Sequence, residues 1–352
     1  MEIRVIESQA EWRGEQLTKR SDWLHPLSDA EIDEIDKAFE SVRAKGIDIR
    51  DVSRDNFVLD RFRRVAEKAQ IALEEGPGVF LIRGFPSHKY SPAELKLINW
   101  GLAKYVGTAV SQSAEGDIMG DVRNLNTDPN GPKSSRGYKS SRELYFHCDS
   151  ADVSSLFAVT NAKRGGLSGI CSSLAVHNEM ARTRPDLLEV LYEPWWWTWQ
   201  KKCYEHEGPI YQQPIFSTQD GYLSCRYIGE SLRRVHEQYP IIPPLSERQR
   251  EAMTLFDKLL NGPDFAVWKP FVPGDWQMVN NHIVMHARTE FEDYPEIDRK
   301  RHLLRMWLAM PNSRPLSPLM RPVYRDQRAG AVRGGLPPTV PGTVVFETTE
   351  AV

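Results

Sequence analysis

From about Gly76 onward the chain is a succession of short apolar runs, each closed by turn residues, and this punctuation limits the possible folds. Gly76–Phe85, bounded by turn residues, Ser155–Thr160, Pro194–Trp199, Phe271–Val279 with its Pro-Gly-Asp turn, and Arg301–Met310 read as strands, and Lys163–Ile170 as a turn into a strand. Before them the period is helical. Ser28-Asp-Ala-Glu31 forms a capping box ahead of a helix to about Lys45, with Ile32, Ile35, Phe39 and Val42 on one face. A second helix runs from about Phe57 to Glu75 on Phe62, Val65, Ala69 and Ala72, and a third over 91–105. Ala175–Glu193, with Pro185 as a break or a new first turn, and Ser246–Leu260 are helices inserted among the strands. Helices first and many short strands afterwards predict an α+β protein on a β-barrel or jelly roll. The expected division is a helical buttress over 1–75, a core over 76–310, and a Pro/Gly-rich tail over 311–352 with a last strand at Thr343–Phe346, all in one structural domain. Residues 107–142, rich in Gly, Ser, Asp and Asn, read as one long loop, a candidate active-site lid.

Composition narrows the function. A net charge of −3 leaves no basic surplus for nucleic acid or an anionic membrane surface. No apolar run approaches the ~18 residues of a membrane helix, and Met1–Glu11 is neither a signal nor a transit peptide. Cys148, Cys171, Cys203 and Cys225 contain no C-x-x-C, so reduced thiols in a cytoplasmic protein are expected. The glycine-rich nucleotide fingerprints and the G-x-S-x-G elbow are absent. The oligomeric state is not readable.

The chemistry is carried by His147-Cys148-Asp149, inside the short strand-like stretch Glu143–Asp152. In a strand, residues two apart share a face, so an imidazole and a carboxylate would project together. These are two members of the 2-His-1-carboxylate triad that binds non-haem Fe(II) and leaves coordination positions open. An H-x-D triplet is also common in ordinary strands, so a third ligand is needed. His177 falls in a helix, where a lone histidine is usually structural, and His206 and His236 have no supporting pattern. His282 and His286 follow the Asp275–Val279 strand, and the residues alone leave the choice between them open. Arg301, 15 residues past His286, and Arg305 alternate with Leu303 and Trp307 and share one strand face. A buried arginine needs an anion, and its planar fork suits a carboxylate. An internal ion pair is the structural alternative.

In this order the motifs resemble those of the Fe(II)/2-oxoglutarate-dependent dioxygenases of the taurine-dioxygenase/clavaminate-synthase-like (TauD/TfdA-like) family. The stretches concerned are Tyr145–Asp152, Arg164-Gly-Gly-Leu-Ser168, Pro273-Gly-Asp275, Asn280-Asn281, Met285-His-Ala-Arg288 with Phe291-Glu-Asp293, and Arg301–Arg305. The resemblance spans roughly Gly78 to Met310 and implies a double-stranded β-helix core. It implies His147, Asp149 and His286 as iron ligands, the H-A-R position selecting His286. It implies Arg301 as partner of the distal carboxylate of 2-oxoglutarate, with Ser168 where the family commonly has threonine. Arg305 matches a position that faces cosubstrate or an acidic substrate group. The implied cofactors are Fe(II), 2-oxoglutarate and O2, with succinate and CO2 released as a substrate C–H bond is attacked.

The expected substrate is a small carboxylate-bearing molecule, an amino acid, met by Arg305 and by loop residues such as Gln112. The tail, through Val344 and Phe346, resembles fungal members that oxidise L-valine to an aziridine. Hydroxylation, desaturation and ring closure share one hydrogen abstraction and are not separable from sequence. Two readings compete: a metal-free jelly-roll binding protein, and a cupin-like Zn or Mn enzyme without 2-oxoglutarate. The second leaves Arg301 without an anion.

Overall fold

The computed structural model describes residues 4–125, 137–199 and 208–346. Three N-terminal helices, Asp29–Ala44, Asp60–Glu74 and Pro92–Val106, form a layer against one face of a large sheet. Two of them start at capping boxes. Ser28 and Ser91 each accept the amide of a glutamate three residues on, and each glutamate reaches back to the serine amide at 2.8 Å. The first of these boxes is the one predicted.

The large sheet has the order Leu24–Pro26, Val79–Arg83, Trp276–Asn280, Val153–Thr160, His302–Ala309, Asp117–Val122 and Val345–Phe346, with Thr108–Val110 also paired to His302–Ala309. A smaller sheet runs Ala266–Lys269, Ser168–Ser172, Val284–Arg288 and Leu144–His147. Alternation assigns the faces of the large sheet. Phe80, Ile82, Trp276, Met278, Leu304, Met306 and Leu308 are buried with the helices in one core cluster. Their neighbours in sequence point the other way. Leu303, Arg305 and Trp307 are in register with Ala158, Leu156 and Ser154, and Gln277 with Leu156. This inner face meets the smaller sheet where Gln277 Nε2 donates to Ser168 Oγ at 3.3 Å.

The two sheets are linked by a tight connection at Asn280–Ile283. Asn280 Oδ1 accepts the His282 amide, and its Nδ2 donates to Leu73 O at 2.9 Å. Behind the smaller sheet a second core holds the helices Ser173–Thr183, Pro185–Tyr192 and Glu247–Leu260 with Trp195 and Trp197. Pro185 starts a new helix, as its position predicts. Among the described residues no helix is long and apolar enough to cross a membrane. Cys148, Cys171 and Cys225 are free and buried; Cys203 lies outside the described residues.

Three expectations need correction. Residues 107–142 are not one loop: Thr108–Val110 and Asp117–Val122 are strands hydrogen-bonded to His302–Ala309. Gly116 and Gly120 weaken the β signal, but pairing with a long central strand overrides it. The middle of the proposed lid, 126–136, lies outside the described residues. Second, the strand carrying the H-x-D triplet ends at His147, and Asp149 lies beyond it. Third, the helices inserted among the strands are not only those predicted over Ala175–Glu193 and Ser246–Leu260: Gly229–Gln238 is another, and it buries Leu232 and Val235.

Candidate active site

His147 ends the edge strand of the smaller sheet and stands in register with His286 on the neighbouring strand. Cross-strand partners share a face, so the two rings meet with centroids 4.3 Å apart. Asp149 joins them from the following segment. Its amide donates to Asn281 Oδ1 at 3.0 Å, and its Oδ2 accepts from Ser154 Oγ at 2.6 Å and Trp307 Nε1 at 2.9 Å. Asn281 Nδ2 holds Ala151 O and Ser154 Oγ. A carboxylate outside a strand is thus fixed by three side chains from the large sheet and the connection. The His147–Asp149 pairing predicted from one strand face is reached by a different route.

His147 Nε2 lies 4.0 Å from Asp149 Oδ1, and His286 Nε2 lies 3.5 Å from Asp149 Oδ2. Ligand atoms of the three side chains all lie within 4.8 Å of one another. Three such donor atoms this close together could hold one metal ion. His147 Nδ1 lies 2.8 Å from Tyr145 O, which holds the proton on Nδ1 and leaves Nε2 as the donor atom. Burial, then the adjacent His147, pushes the His286 ring down to about 3, so it is a neutral imidazole. Burial raises Asp149, but His286, Arg305, His147 and the Ser154 hydroxyl together hold it well below the usual carboxylate range. The donor set is therefore the Nε2 atoms of two imidazoles, His286 being neutral, and one ionised carboxylate, the set suited to non-haem Fe(II).

His282, the rival third ligand, is turned away. Its Nε2 lies 2.9 Å from Asp152 Oδ1, a carboxylate that also takes Arg333 Nε at 2.8 Å and the Met310 amide. Burial outweighs Asp152 and pushes its pKa down to about 4. His177 is bonded to Tyr192 and Asn178 and is structural. His206 lies outside the described residues.

Arg301 is buried (4% exposed) and its Nη1 has no hydrogen-bond partner among the described residues. Burial, then the nearby Arg288, pushes it down to about 9. The Gly165-Gly166 turn passes beside it, both residues with positive φ. A Cβ on Gly166 would lie 3.1 Å from Arg301 Nε, and one on Gly165 would strike Glu290 O at 2.2 Å, so the turn needs glycine twice. Ser168 is buried on the inner face, in register with Arg288 and touching Gln277. An unsatisfied guanidinium at a buried end fits a carboxylate. Arg305 Nε donates to Gln112 Oε1 at 2.6 Å, and Gln112 Nε2 returns to Arg305 O at 2.9 Å. The Arg305 charge acts on both Asp149 and His286, so it lies beside the triad.

The tail residues are not brought there. Phe346 pairs with Met119 and sets its ring edge-on to Trp100 at 5.0 Å, on the helix side of the large sheet, and Val344 is exposed. The alternation that turns Arg305 inward places Phe346 on the opposite side. Sequence reading missed the supports: Ser154, Asn281, Trp307, Gln277 and Arg288. Asn281 and Arg288 lie within the motif stretches. The others carry no local signal, since only the sheet registers point them at the site.

A His/His/Asp cluster with a neutral His286 and an ionised Asp149, beside a buried arginine that has no hydrogen-bonded anion among the described residues, is the arrangement of a non-haem iron, 2-oxoglutarate-dependent dioxygenase. The comparisons agree. The family described as Taurine catabolism dioxygenase TauD, TfdA matches residues 44–307, and the chain belongs to it. Fe(II) and 2-oxoglutarate are its cofactors. The chain is 28% identical over 318 residues to FR-33289 synthase of Streptomyces rubellomurinus (strain ATCC 31215), covering 88% of this chain and 92% of that protein. It is 28% identical over 303 residues to the taurine hydroxylase-like protein SAT17 of Stachybotrys chartarum (strain CBS 109288 / IBT 7711), covering 84% and 77%. Among solved structures, asparagine oxygenase with Fe(II), 2S,3S-3-hydroxyasparagine and succinate superposes with a TM-score of 0.63 at 16% identity, over 82% of this chain and 93% of that one. The non-heme iron oxygenase OrfP with Fe and alpha-ketoglutaric acid superposes with a TM-score of 0.60 at 14% identity, over 81% and 94%. At these identities the likeness is one of fold.

Proposed function

We propose that the protein oxidises an aliphatic C–H bond of a small carboxylate-bearing substrate, an amino acid, on a double-stranded β-helix core. His147, Asp149 and His286 would hold the iron, and Arg301 with Ser168 the distal carboxylate of 2-oxoglutarate. Bound there, the two cofactors supply, with O2, the oxidant that removes hydrogen from the substrate, releasing succinate and CO2. Ser154 and Trp307 keep one Asp149 oxygen occupied, so the other is presented to the metal.

The observation that carries the substrate class is Arg305. It is buried, its Nε is oriented by Gln112, its guanidinium lies 5.2 Å from the Trp307 ring centroid, and its charge reaches the triad. A cation held on the inner face beside the triad suits the carboxylate of a substrate whose side chain reaches the reacting position. Relatives support this reading, since structures of similar fold hold 3-hydroxyasparagine and (3S)-hydroxy-L-Arg. The valine-aziridine reading loses its ground, because Val344 and Phe346 sit away from the triad.

The test is succinate release from 2-oxoglutarate over a panel of amino acids, each paired with its carboxamide. Acid-dependent stimulation in wild type that falls at least tenfold in Arg305→Met supports the assignment. Equal stimulation by acid and amide, or an undiminished response in the variant, contradicts it.

A further inference from the structure

The smaller sheet carries a buried arginine, Arg288, whose Nε and Nη1, unpartnered among the described residues, have so far been given no role. We propose that Arg288 acts with Arg301 as a paired clamp on the distal carboxylate of 2-oxoglutarate, and ties that end of the site to the segment entering the iron-ligand strand. The inference rests on the triad as the iron end of the site.

Strand geometry places Arg288 there. It lies two residues beyond His286 on the same strand, so both side chains leave on the same face. On the strand Ser168–Ser172 it pairs with Ser168, while His286 pairs with His147 on the opposite neighbour, Leu144–His147. Two residues of strand advance about 6.6–6.8 Å, roughly the span of a five-carbon diacid whose keto end lies at the triad. Arg288 and Arg301 both stand over the Phe291 ring, at 4.7 and 5.1 Å from its centroid.

The polar atoms there are incompletely satisfied. Arg288 is 5% exposed, and its Nε and Nη1 have no hydrogen-bond partner among the described residues; Arg301 Nη1 is likewise unpartnered. The carboxylate acting on both is Asp293, whose Oδ1 already accepts the Arg301 amide. Two buried guanidiniums and one carboxylate leave a surplus positive charge, which one further carboxylate cancels. Arg288 Nη2 is committed elsewhere: it donates to the carbonyls of Ser140 (2.8 Å) and Arg142, just ahead of Leu144–His147. One side chain thus spans the anion end and the approach to His147.

The test compares 2-oxoglutarate with 2-oxobutyrate, which keeps the keto-acid end and lacks the distal carboxylate. Calorimetry under nitrogen on Fe(II)-loaded protein gives both affinities, with Fe(II) affinity measured separately. Arg288→Gln should weaken 2-oxoglutarate about 10- to 100-fold, the loss of a charge-assisted bond, and leave 2-oxobutyrate within about twofold. Arg301→Gln should lose the same preference, and Fe(II) affinity should hold in both. Equal weakening of both keto acids in Arg288→Gln marks a packing role and overturns the proposal, as does no weakening of either. Loss of preference in Arg301→Gln alone overturns the paired clamp but leaves the dioxygenase site intact. If wild type itself does not prefer 2-oxoglutarate, the carboxylate end is misplaced and the proposal falls with it. Should Arg288→Gln fail to fold by circular dichroism, Arg288→Lys, which keeps charge without the fork, should still lose 2-oxoglutarate selectively; a parallel loss overturns it.

Discussion

Asp149 does its work through the groups that hold it. Ser154 and Trp307 both donate to Oδ2, and Asn281 fixes the backbone, so the carboxylate cannot rotate freely between its neighbours. Trp307→Phe removes one donor while keeping the ring's bulk. Fe(II) affinity should fall about tenfold, the low end for loss of a ligand-orienting bond, with the fold intact by circular dichroism. Among the histidines, His177 shows the opposite use of burial. It is pushed down to about 4 from an ordinary value of 6.5, mainly by burial. The unfolded chain therefore takes up this proton first as pH falls, and the stability from neutral, bonded His177 is fully present above pH 6.5 and is lost as pH drops towards 4. In His177→Gln the fall in unfolding free energy over that window should be shallower by roughly 1 kcal/mol per pH unit, read from urea melts at several pH values. His147, Asp149 and the pair His282/His286 stood out in sequence by residue type and order, whereas the preference for His286 and the role of Arg301 came only from the family resemblance. Trp307 and Ser154 did not stand out, because a hydrogen bond to a carboxylate across a sheet leaves no mark in sequence.

The His302–Ala309 strand separates stability from function along a single element. Leu304, Met306 and Leu308 pack into the helical layer, while Arg305 and Trp307 face the site. Leu304→Ala, fully buried on the helix side, should cost about 2–5 kcal/mol of stability and leave 2-oxoglutarate affinity unchanged below the melting transition. A matched loss of cosubstrate binding would show that the two faces are coupled. The strand was readable from its apolar run. Its neighbours at Thr108–Val110 and Asp117–Val122 were not: the first is only three residues long, the second is interrupted by Gly120 and two aspartates, and pairing with a strong central strand makes them β. The same limit applies to Asp149, whose place is set by Asn281 rather than by a strand of its own.

At the scale of the molecule, the tail closes the fold through buried charge. Arg333 reaches Asp152, which also holds His282 and the Met310 amide, and Arg314 pairs with Glu74 on the second helix at 2.6 Å. Arg333→Met leaves Asp152 buried without its cation and should cost about 3 kcal/mol in urea unfolding, with iron binding retained in the folded protein. The layered arrangement followed from helices preceding strands, whereas the tail's course could not, because proline and glycine record only where regular structure stops. His286 is the proposed third ligand, whereas His282 is bonded to Asp152 beside Arg333 of the tail. Anaerobic titration with Fe(II) and 2-oxoglutarate, followed by the visible iron-to-keto-acid charge-transfer band, tests this directly. The band should form in wild type and in folded His282→Ala, and be absent in His286→Ala. A band in His286→Ala, or none in metal-bound wild type, would contradict the assignment.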